Sequence, residues 1–174
     1  MDKKDLVARL RTVPDFPIKG IQFRDITTLL KDPEAFRTLV DMTYELYKDK
    51  GITKVVGIES RGFIIGAALA YRLGAGFVLA RKPGKLPAET LSVSYDKEYG
   101  KDSIEIHADA ITPDDVVLIH DDLLATGGTV AGAIELVRKF SPRQIHANFI
   151  IELADLPGRD KMPSDVPVTT LLKL

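Results

Sequence analysis

The sequence predicts an α/β fold in which a mostly parallel, twisted sheet carries helices on both of its faces. Short apolar runs that fit fully buried strands alternate with amphipathic stretches that fit helices, which is the pattern of a parallel sheet with crossover helices. The chain has 174 residues, of which 45% are hydrophobic, so it can bury one core of ordinary size and is short for two. We therefore predict a single domain over residues 1–174.

The first elements form an N-terminal arm, which we assign to residues 1–30. A short amphipathic helix is predicted over residues 5–11, and the proline-rich stretch PDFPIKGIQFRDI after it predicts an irregular segment. The apolar anchors of this segment are Phe16, Ile18, Ile21, Phe23 and Ile26. A long helix follows, because Asp32 is a suitable N-cap, Pro33 fits the first helical position and Gly51 comes after the end.

Strands and helices then alternate along the chain. Strands are predicted over residues 54–58, 77–80, 116–119 and 145–151, and helices over residues 62–72 and 127–140. The region 82–113 breaks this pattern, because period-two alternation predicts two antiparallel strands joined by the polar turn DKEYGKD. A long polar region in a compact domain is usually functional, and we expect a flexible loop region here.

Composition and charge exclude several classes of protein. The formal net charge of -1 argues against a nucleic-acid or membrane-surface protein, so any anion site must be local. The absence of cysteine excludes disulfides, thiolate metal sites and a cysteine nucleophile. No apolar run approaches the roughly 20 residues that a membrane helix needs, and the first residues lack the apolar core of a signal peptide. We expect a cytoplasmic protein.

The stretch VVLIHDDLLATGGT, residues 116–129, is the main functional signal. Two glycines in its turn can present backbone N–H groups at the start of a helix, and two threonines add hydroxyl donors, which suits a phosphate. An ordinary threonine-capped helix start is the structural alternative for this turn alone. The preceding Asp121 and Asp122 favour a phosphorylated ribose whose hydroxyls they can bind, although a solvated acidic turn is the other interpretation.

Two further strand exits carry charged residues at the same predicted edge of the sheet. Arg61 follows the first strand, and a cationic run at residues 81–85 follows the second. Ligands of open parallel sheets bind beyond the carboxyl ends of the strands, so we expect these groups near the acidic pair. An ion pair between Arg61 and Glu59, and a solvated rim at residues 81–85, are the structural alternatives.

Two familiar phosphate motifs do not fit the sequence. GIESRGF has the glycine spacing of a nucleoside-triphosphate loop, but Phe63 and Ile64 stand where Lys and Ser or Thr are needed. The dinucleotide-binding fingerprint fails as well, because Gly74 and Gly76 precede a strand instead of opening a helix. Nucleoside-triphosphate hydrolysis and Rossmann-like dinucleotide binding are therefore disfavoured.

Together with three other segments, this stretch resembles the type I phosphoribosyltransferases, and in particular their adenine-using branch. The segments PDFPIKGIQFRDITTLLKDPEAF, GIESRGF, RKPGKLPAETLSVSYDKEYGKDSIEIHADAI and DDLLATGGT match in order and spacing over nearly the full chain. The resemblance implies the type I phosphoribosyltransferase fold, with a small hood over the base and a flexible catalytic loop. It also implies an enzyme of purine salvage that converts adenine and 5-phosphoribosyl 1-pyrophosphate (PRPP) to AMP and diphosphate.

The resemblance implies roles for individual positions. The 5-phosphate would lie on Ala125, Thr126, Gly127, Gly128 and Thr129, and the diphosphate would be bound by Arg61, Arg81, Lys82 and Lys85. Asp121 and Asp122 would contact the ribose hydroxyls and stabilise positive charge at the anomeric carbon. The hood positions Ile21, Gln22 and Arg24 would cover adenine. Glu98 and Tyr99 would be catalytic residues of the mobile loop, with Glu98 exchanging a proton with the purine.

A cofactor and a partner are implied in the same way. Mg²⁺ would arrive on the diphosphate, so no set of protein ligands is expected for it. The family also implies a homodimer. Three positions depart from the family pattern: Glu59 stands in place of an expected Asp, Gln22 is polar in a base pocket that is often apolar, and His120 occupies an expected apolar position. We interpret His120 as a packed, hydrogen-bonded residue.

The resemblance favours adenine over hypoxanthine and guanine on two positions, Ala125 and the Glu98 of the mobile loop. Ala125 stands where the enzymes for 6-oxopurines carry an Asp that works near the purine, and alanine cannot do this. Xanthine is the closest enzymatic rival. A sensor that binds PRPP without catalysis and regulates transcription is the alternative from another class, but the sequence offers no basic DNA-reading module for it.

Overall fold

A five-stranded, fully parallel sheet forms the centre of the molecule. The computed structural model describes residues 1–97 and 100–174. The strand order is β4-β3-β7-β8-β9, and each neighbouring pair is parallel. The strands are β3 Lys54–Ile58, β4 Gly76–Ala80, β7 Val116–Leu124, β8 Gln144–Glu152 and β9 Val168–Lys173. Helices cover both faces, so the predicted fold class is confirmed.

Each face of the sheet is covered by a separate group of elements. The helix α5, Gly128–Arg138, packs on one face together with the antiparallel hairpin of β5, Thr90–Asp96, and β6, Lys101–His107. The helices α3, Pro33–Tyr47, and α4, Gly62–Leu73, pack on the other face. Asp32 caps α3 as predicted, because its carboxylate accepts hydrogen bonds from the backbone N–H groups of Glu34 and Ala35.

The N-terminal arm is more regular than the sequence suggested. The helix α1 covers Lys3–Arg9, because a capping box between Asp2 and Asp5 starts it earlier than the predicted residue 5. The prediction of an irregular segment over residues 14–26 is wrong for β2, Gln22–Asp25, which pairs with β1, Arg11–Pro14, in an antiparallel hairpin. The short helix α2, Thr27–Leu30, follows. The prolines of this region concealed the hairpin, because proline in a sequence argues against a strand. Pro14 stands at the very end of β1 and does not interrupt it.

Two parts of the C-terminal half also differ from the prediction. Strand β7 continues to Leu124, five residues beyond the predicted end, because its pairing with β8 persists up to Glu152. No element was predicted after residue 151, whereas the structure has a 3-10 helix, Pro157–Lys161, and the edge strand β9. The threonines of β9 made this run look polar, but the side chains of an edge strand are only partly buried. Among the described residues, no helix is long and apolar enough to cross a membrane.

Candidate active site

The acidic pair lies inside strand β7, near its carboxyl end. Successive side chains of a strand point to opposite faces, so Asp121 and Asp122 face different surroundings. The side chain of Asp122 is only 7% exposed, and its Oδ2 accepts a hydrogen bond from Nε of Arg61 at 2.6 Å. Oδ1 of Asp121 accepts one from the backbone N–H of Asp122 at 2.8 Å. The close packing of α4 here requires glycine, because a Cβ at Gly62 would lie 2.8 Å from the His120 carbonyl oxygen.

The two carboxylates influence each other. Burial, and after it the negative charge of Asp122, raise the pKa of Asp121 well above its usual value, and the nearby Arg61 only partly opposes this. For Arg61, burial alone would lower the pKa, but the carboxylate of Asp122 raises it. Positive charge or hydroxyl donors beside Asp121 would therefore stabilise its ionised form. A ribose whose ring gains positive charge offers both.

The turn at residues 125–129, which we call the glycine loop, forms an anion site. Helix α5 begins directly after Gly127, whose φ is 84°, and no side chain caps it. Within the described chain, the backbone N–H groups of residues 126–130 donate no hydrogen bond to another group. Free N–H groups at the positive end of a helix dipole bind anions well. They surround a cavity of about 100 Å³ that also reaches Asp121 and Phe149.

A second cavity of about 130 Å³ adjoins the first, and Asp121 and Thr129 line both. Its wall carries Arg81 and Lys82, which follow strand β4. Nε of Arg81 donates a hydrogen bond to Glu59 at 2.8 Å. Burial alone would raise the pKa of Glu59, but the hydrogen bonds from Arg81 and from the backbone of Lys82 lower it.

The other cations and the arm complete the surroundings of these cavities. The ammonium of Lys82 forms an ion pair with Asp102 of β6, and Lys85 is exposed. The guanidinium of Arg61 lies 5.5 Å from the centre of the Phe23 ring, a cation–π distance that joins the arm to the carboxyl edge of the sheet. The two cavities, with the carboxylates and cations beside them, thus form a groove, and the arm contacts it through Phe23 and Arg61.

The comparisons with known proteins agree with this geometry. The family model of the phosphoribosyl transferase domain matches residues 25–172. An adenine phosphoribosyltransferase of Phocaeicola vulgatus is 63% identical to this chain over 174 residues, and the match covers 100% of both proteins. The chain belongs to the adenine phosphoribosyltransferase family. The predicted family, fold class and enzyme class, a pentosyltransferase, are confirmed.

Solved structures of adenine phosphoribosyltransferases share this fold along the whole chain. The crystal structure of the Rhodothermus marinus protein has a TM-score of 0.94 at 53% identity, covering 98% of this chain and 97% of its own. The Giardia lamblia protein, complexed with 9-deazaadenine, has a TM-score of 0.93 at 42% identity, covering 100% of this chain and 98% of its own. This chain therefore shares its fold with solved structures of this enzyme family over nearly its whole length.

The structure brings most of the predicted site residues to one groove. The glycine loop, Asp121, Arg81 and Lys82 line the two cavities. Arg61 bonds to Asp122, the chain neighbour of Asp121. Ile21 and Gln22 are exposed at the turn of the arm and at the start of β2, while Arg24 of the same strand donates a hydrogen bond to Thr12 at 2.7 Å. Glu98 and Tyr99 lie outside the described residues.

Several structural alternatives are decided by the observed contacts. Arg61 pairs with Asp122, and the predicted alternative of a pair with Glu59 is wrong, since Glu59 binds Arg81. The interpretation of His120 as a packed residue is confirmed: it is fully buried, and its Nδ1 lies 2.9 Å from Oδ1 of Asn148. Burial lowers the pKa of His120 to about 4, so the ring is neutral at neutral pH.

Sequence reasoning missed three residues that shape the groove. Gly158 packs against the glycine loop, because a Cβ at Gly127 would lie 2.7 Å from the Gly158 carbonyl oxygen. Tyr95 lines the second cavity, and Asp102 binds the ammonium groups of Lys82 and Lys97. The dipeptide Pro157-Gly158 marks a turn, but nothing local indicates that this turn meets a loop thirty residues earlier.

Proposed function

We propose that this chain transfers the phosphoribosyl group of PRPP to adenine and releases AMP and diphosphate. The observation that carries the proposal is the glycine loop, whose N–H groups donate to no other described group, directly beside Asp121 and its buried neighbour Asp122. Curated relatives with the name adenine phosphoribosyltransferase cover the whole chain, which supports adenine as the base.

The ribose 5-phosphate end of PRPP would occupy the glycine loop. Its cavity of about 100 Å³ suits a single phosphate group, and the N–H groups of residues 126–130 would donate hydrogen bonds to the phosphate oxygens. From there the ribose would reach the acidic pair, since Asp121 lines both cavities. The carboxylates would bind the ring hydroxyls and stabilise the oxocarbenium character that develops when the bond to diphosphate breaks.

The diphosphate would lie on the cationic side of the groove. Arg61, Arg81, Lys82 and Lys85 would neutralise the charge of the leaving group. Mg²⁺ bound to the diphosphate oxygens would supply additional charge neutralisation. This ion would keep substrate and water oxygens as its ligands. Among residues 1–97 and 100–174, no cluster of His, Cys, Asp or Glu is arranged to hold a metal.

The base would bind at the end of the groove covered by the arm. Ile21, Gln22 and Arg24 stand on the arm, whose Phe23 touches Arg61, so the arm reaches the place where the purine would meet the anomeric carbon. Glu98 and Tyr99, which stand between β5 and β6 in the sequence and belong to the predicted loop region, would act on the purine, with Glu98 exchanging the proton. Closure of that loop would exclude water from the cation.

One assay decides the proposal. The purified protein is incubated with PRPP, Mg²⁺ and, separately, adenine, hypoxanthine, guanine or xanthine, and release of diphosphate is measured, with a chelator added in a parallel series. We expect turnover with adenine, at least about tenfold preference over each other purine, and loss of activity with chelator. Binding of PRPP without turnover of any purine would instead support the sensor.

The assembly and the boundaries of the parts are proposed as well. A homodimer is supported by the exposed apolar residues Ile64 and Tyr71, which are seven positions apart on one side of α4, and by Leu79 of the adjacent strand β4. Sedimentation of a monomer at assay concentrations would contradict it. Residues 1–174 form one domain, with the hood in residues 1–30 and the predicted loop region in residues 82–113, whose strands β5 and β6 pack on the core. A cysteine-free chain suits the reducing cytoplasm.

A further inference from the structure

The glycine loop rests on the 3-10 helix Pro157–Lys161, and this contact is backbone against backbone. A Cβ at Gly127 would lie 2.7 Å from the Gly158 carbonyl oxygen, and a Cβ at Gly158 would collide with the Ala125 carbonyl oxygen. Gly158 is buried, although both of its neighbours in the chain are exposed. The position of this 3-10 helix therefore sets the position of the loop above it.

Arg159 holds the 3-10 helix against the sheet. Its guanidinium donates two parallel hydrogen bonds to Glu152, from Nε at 2.9 Å and from Nη2 at 2.7 Å. Nη1 donates to the Val168 carbonyl oxygen at 3.2 Å, and the hydroxyl of Thr170 donates to Glu152 at 2.8 Å. The side chain of Arg159 therefore links the 3-10 helix to both neighbouring strands, β8 and β9.

The anchor point is close to the origin of the glycine loop. Glu152 is the last residue of β8 and pairs with Leu124, the last residue of β7, after which the loop begins. The side chain of Glu152 is only 6% exposed, and the hydrogen bonds from Arg159 contribute most to lowering its pKa to about 2. A two-pronged bond between guanidinium and carboxylate fixes orientation as well as distance.

We propose that Glu152 and Arg159 are positioning residues for the 5-phosphate of PRPP. Their ion pair fixes Gly158 beneath the glycine loop, so that the N–H groups of residues 126–130 are held in place before the substrate arrives. The inference rests on the proposed function and adds to it two residues outside both cavities. Preorganised donors bind an anion more tightly because the loop does not lose conformational entropy on binding.

The test compares Arg159→Met with Arg159→Lys and with the control Arg138→Met. Methionine keeps the apolar stem and removes the guanidinium, whereas lysine keeps the charge and loses the two-pronged geometry. Arg138 forms a single ion pair with the exposed Asp165 at the far end of α5, so its loss perturbs an arginine without touching the loop. The readouts are kcat, the KM values for PRPP and adenine, and the calorimetric Kd of ribose 5-phosphate.

We expect Arg159→Met to raise the KM for PRPP and the Kd of ribose 5-phosphate by roughly tenfold, which corresponds to about 1.4 kcal/mol and is of the order of ordering one loop residue. Arg159→Lys raises both less, and Arg138→Met leaves both unchanged. The KM for adenine and kcat stay within about twofold, because the interaction affects phosphate binding in ground and transition states alike.

Two results would overturn the inference. The first is an unchanged Kd of ribose 5-phosphate in both Arg159 variants. The second is an unchanged KM for PRPP together with a kcat that falls only as much as the folded fraction of the protein falls. That outcome is expected for a residue that only stabilises the fold. If Arg159→Met does not fold, Arg159→Lys carries the same comparison. A wild-type protein inactive towards adenine would contradict the proposed function, while the ribose 5-phosphate comparison would still decide this inference.

Discussion

Replacing Gly127 by alanine perturbs the proposed phosphate site through two separate physical effects. The φ of Gly127 is 84°, which is in the left-handed region, and there a Cβ costs about 1 to 2 kcal/mol. The added Cβ would also lie 2.7 Å from the Gly158 carbonyl oxygen and 2.9 Å from the Gly158 Cα. Both are backbone atoms of an anchored 3-10 helix, so the clash adds the cost of overpacking, about 1 to 3 kcal/mol.

Gly74 provides the matched control, because it isolates the first effect from the second. Its φ is 68°, and a Cβ there would meet no heavy atom within 4 Å. Gly74→Ala should therefore lower the free energy of unfolding by about 1 to 2 kcal/mol and leave ribose 5-phosphate binding unchanged. Gly127→Ala should lower it by about 2 to 5 kcal/mol, the range that strain and overpacking give together.

Binding reports on the clash more directly than stability does. If the loop relieves the clash by moving away from Gly158, the N–H groups of residues 126–130 move with it, and the Kd of ribose 5-phosphate should rise at least about tenfold. The assays are urea unfolding and calorimetric titration of both variants. Equal unfolding free energies for the two variants, together with wild-type binding by Gly127→Ala, would refute this account of the loop.

Two further predictions concern the buried His120 and the carboxylate of Glu98, which we propose to be catalytic. Burial lowers the pKa of His120 from the usual 6.5 to about 4 in the folded state. The unfolded chain therefore binds more protons between these pH values, so stability falls as pH falls through this window. We expect this effect to lower the free energy of unfolding by about 2 kcal/mol between pH 7 and pH 5. Urea unfolding at both pH values should show a smaller decrease for His120→Asn than for the wild-type protein. Equal decreases in the two proteins would contradict the prediction. Glu98→Ala should lower kcat by roughly 10² or more with little change in the KM for PRPP. Steady-state kinetics with adenine measure this, and an unchanged kcat would remove Glu98 from the mechanism.

The parts of the fold that follow from local pattern were predicted well. The runs of β3, β7 and β8 are apolar because both faces of a parallel sheet are covered, and this composition is visible without any partner. The edge strand β4 is equally apolar, although only its Val78 and Ala80 are buried. The hairpin of β1 and β2 was missed, because its strands pair across a proline-rich turn whose conformation depends on the rest of the arm. The edge strand β9 was missed because only its pairing with β8 distinguishes it from a polar terminal segment.

The candidate site divides in the same way. The sequence by itself determined which chemical groups are present: a glycine turn before a helix, two adjacent carboxylates and cations after neighbouring strands, all readable because strand exits in a parallel sheet meet at one edge. Only the tertiary structure decided which of them pair. Arg61 binds Asp122 and not its near neighbour Glu59, and the 3-10 helix anchored by Arg159 supports a loop distant in the chain. Such pairings depend on distances and burial between elements far apart in sequence, which no local pattern specifies.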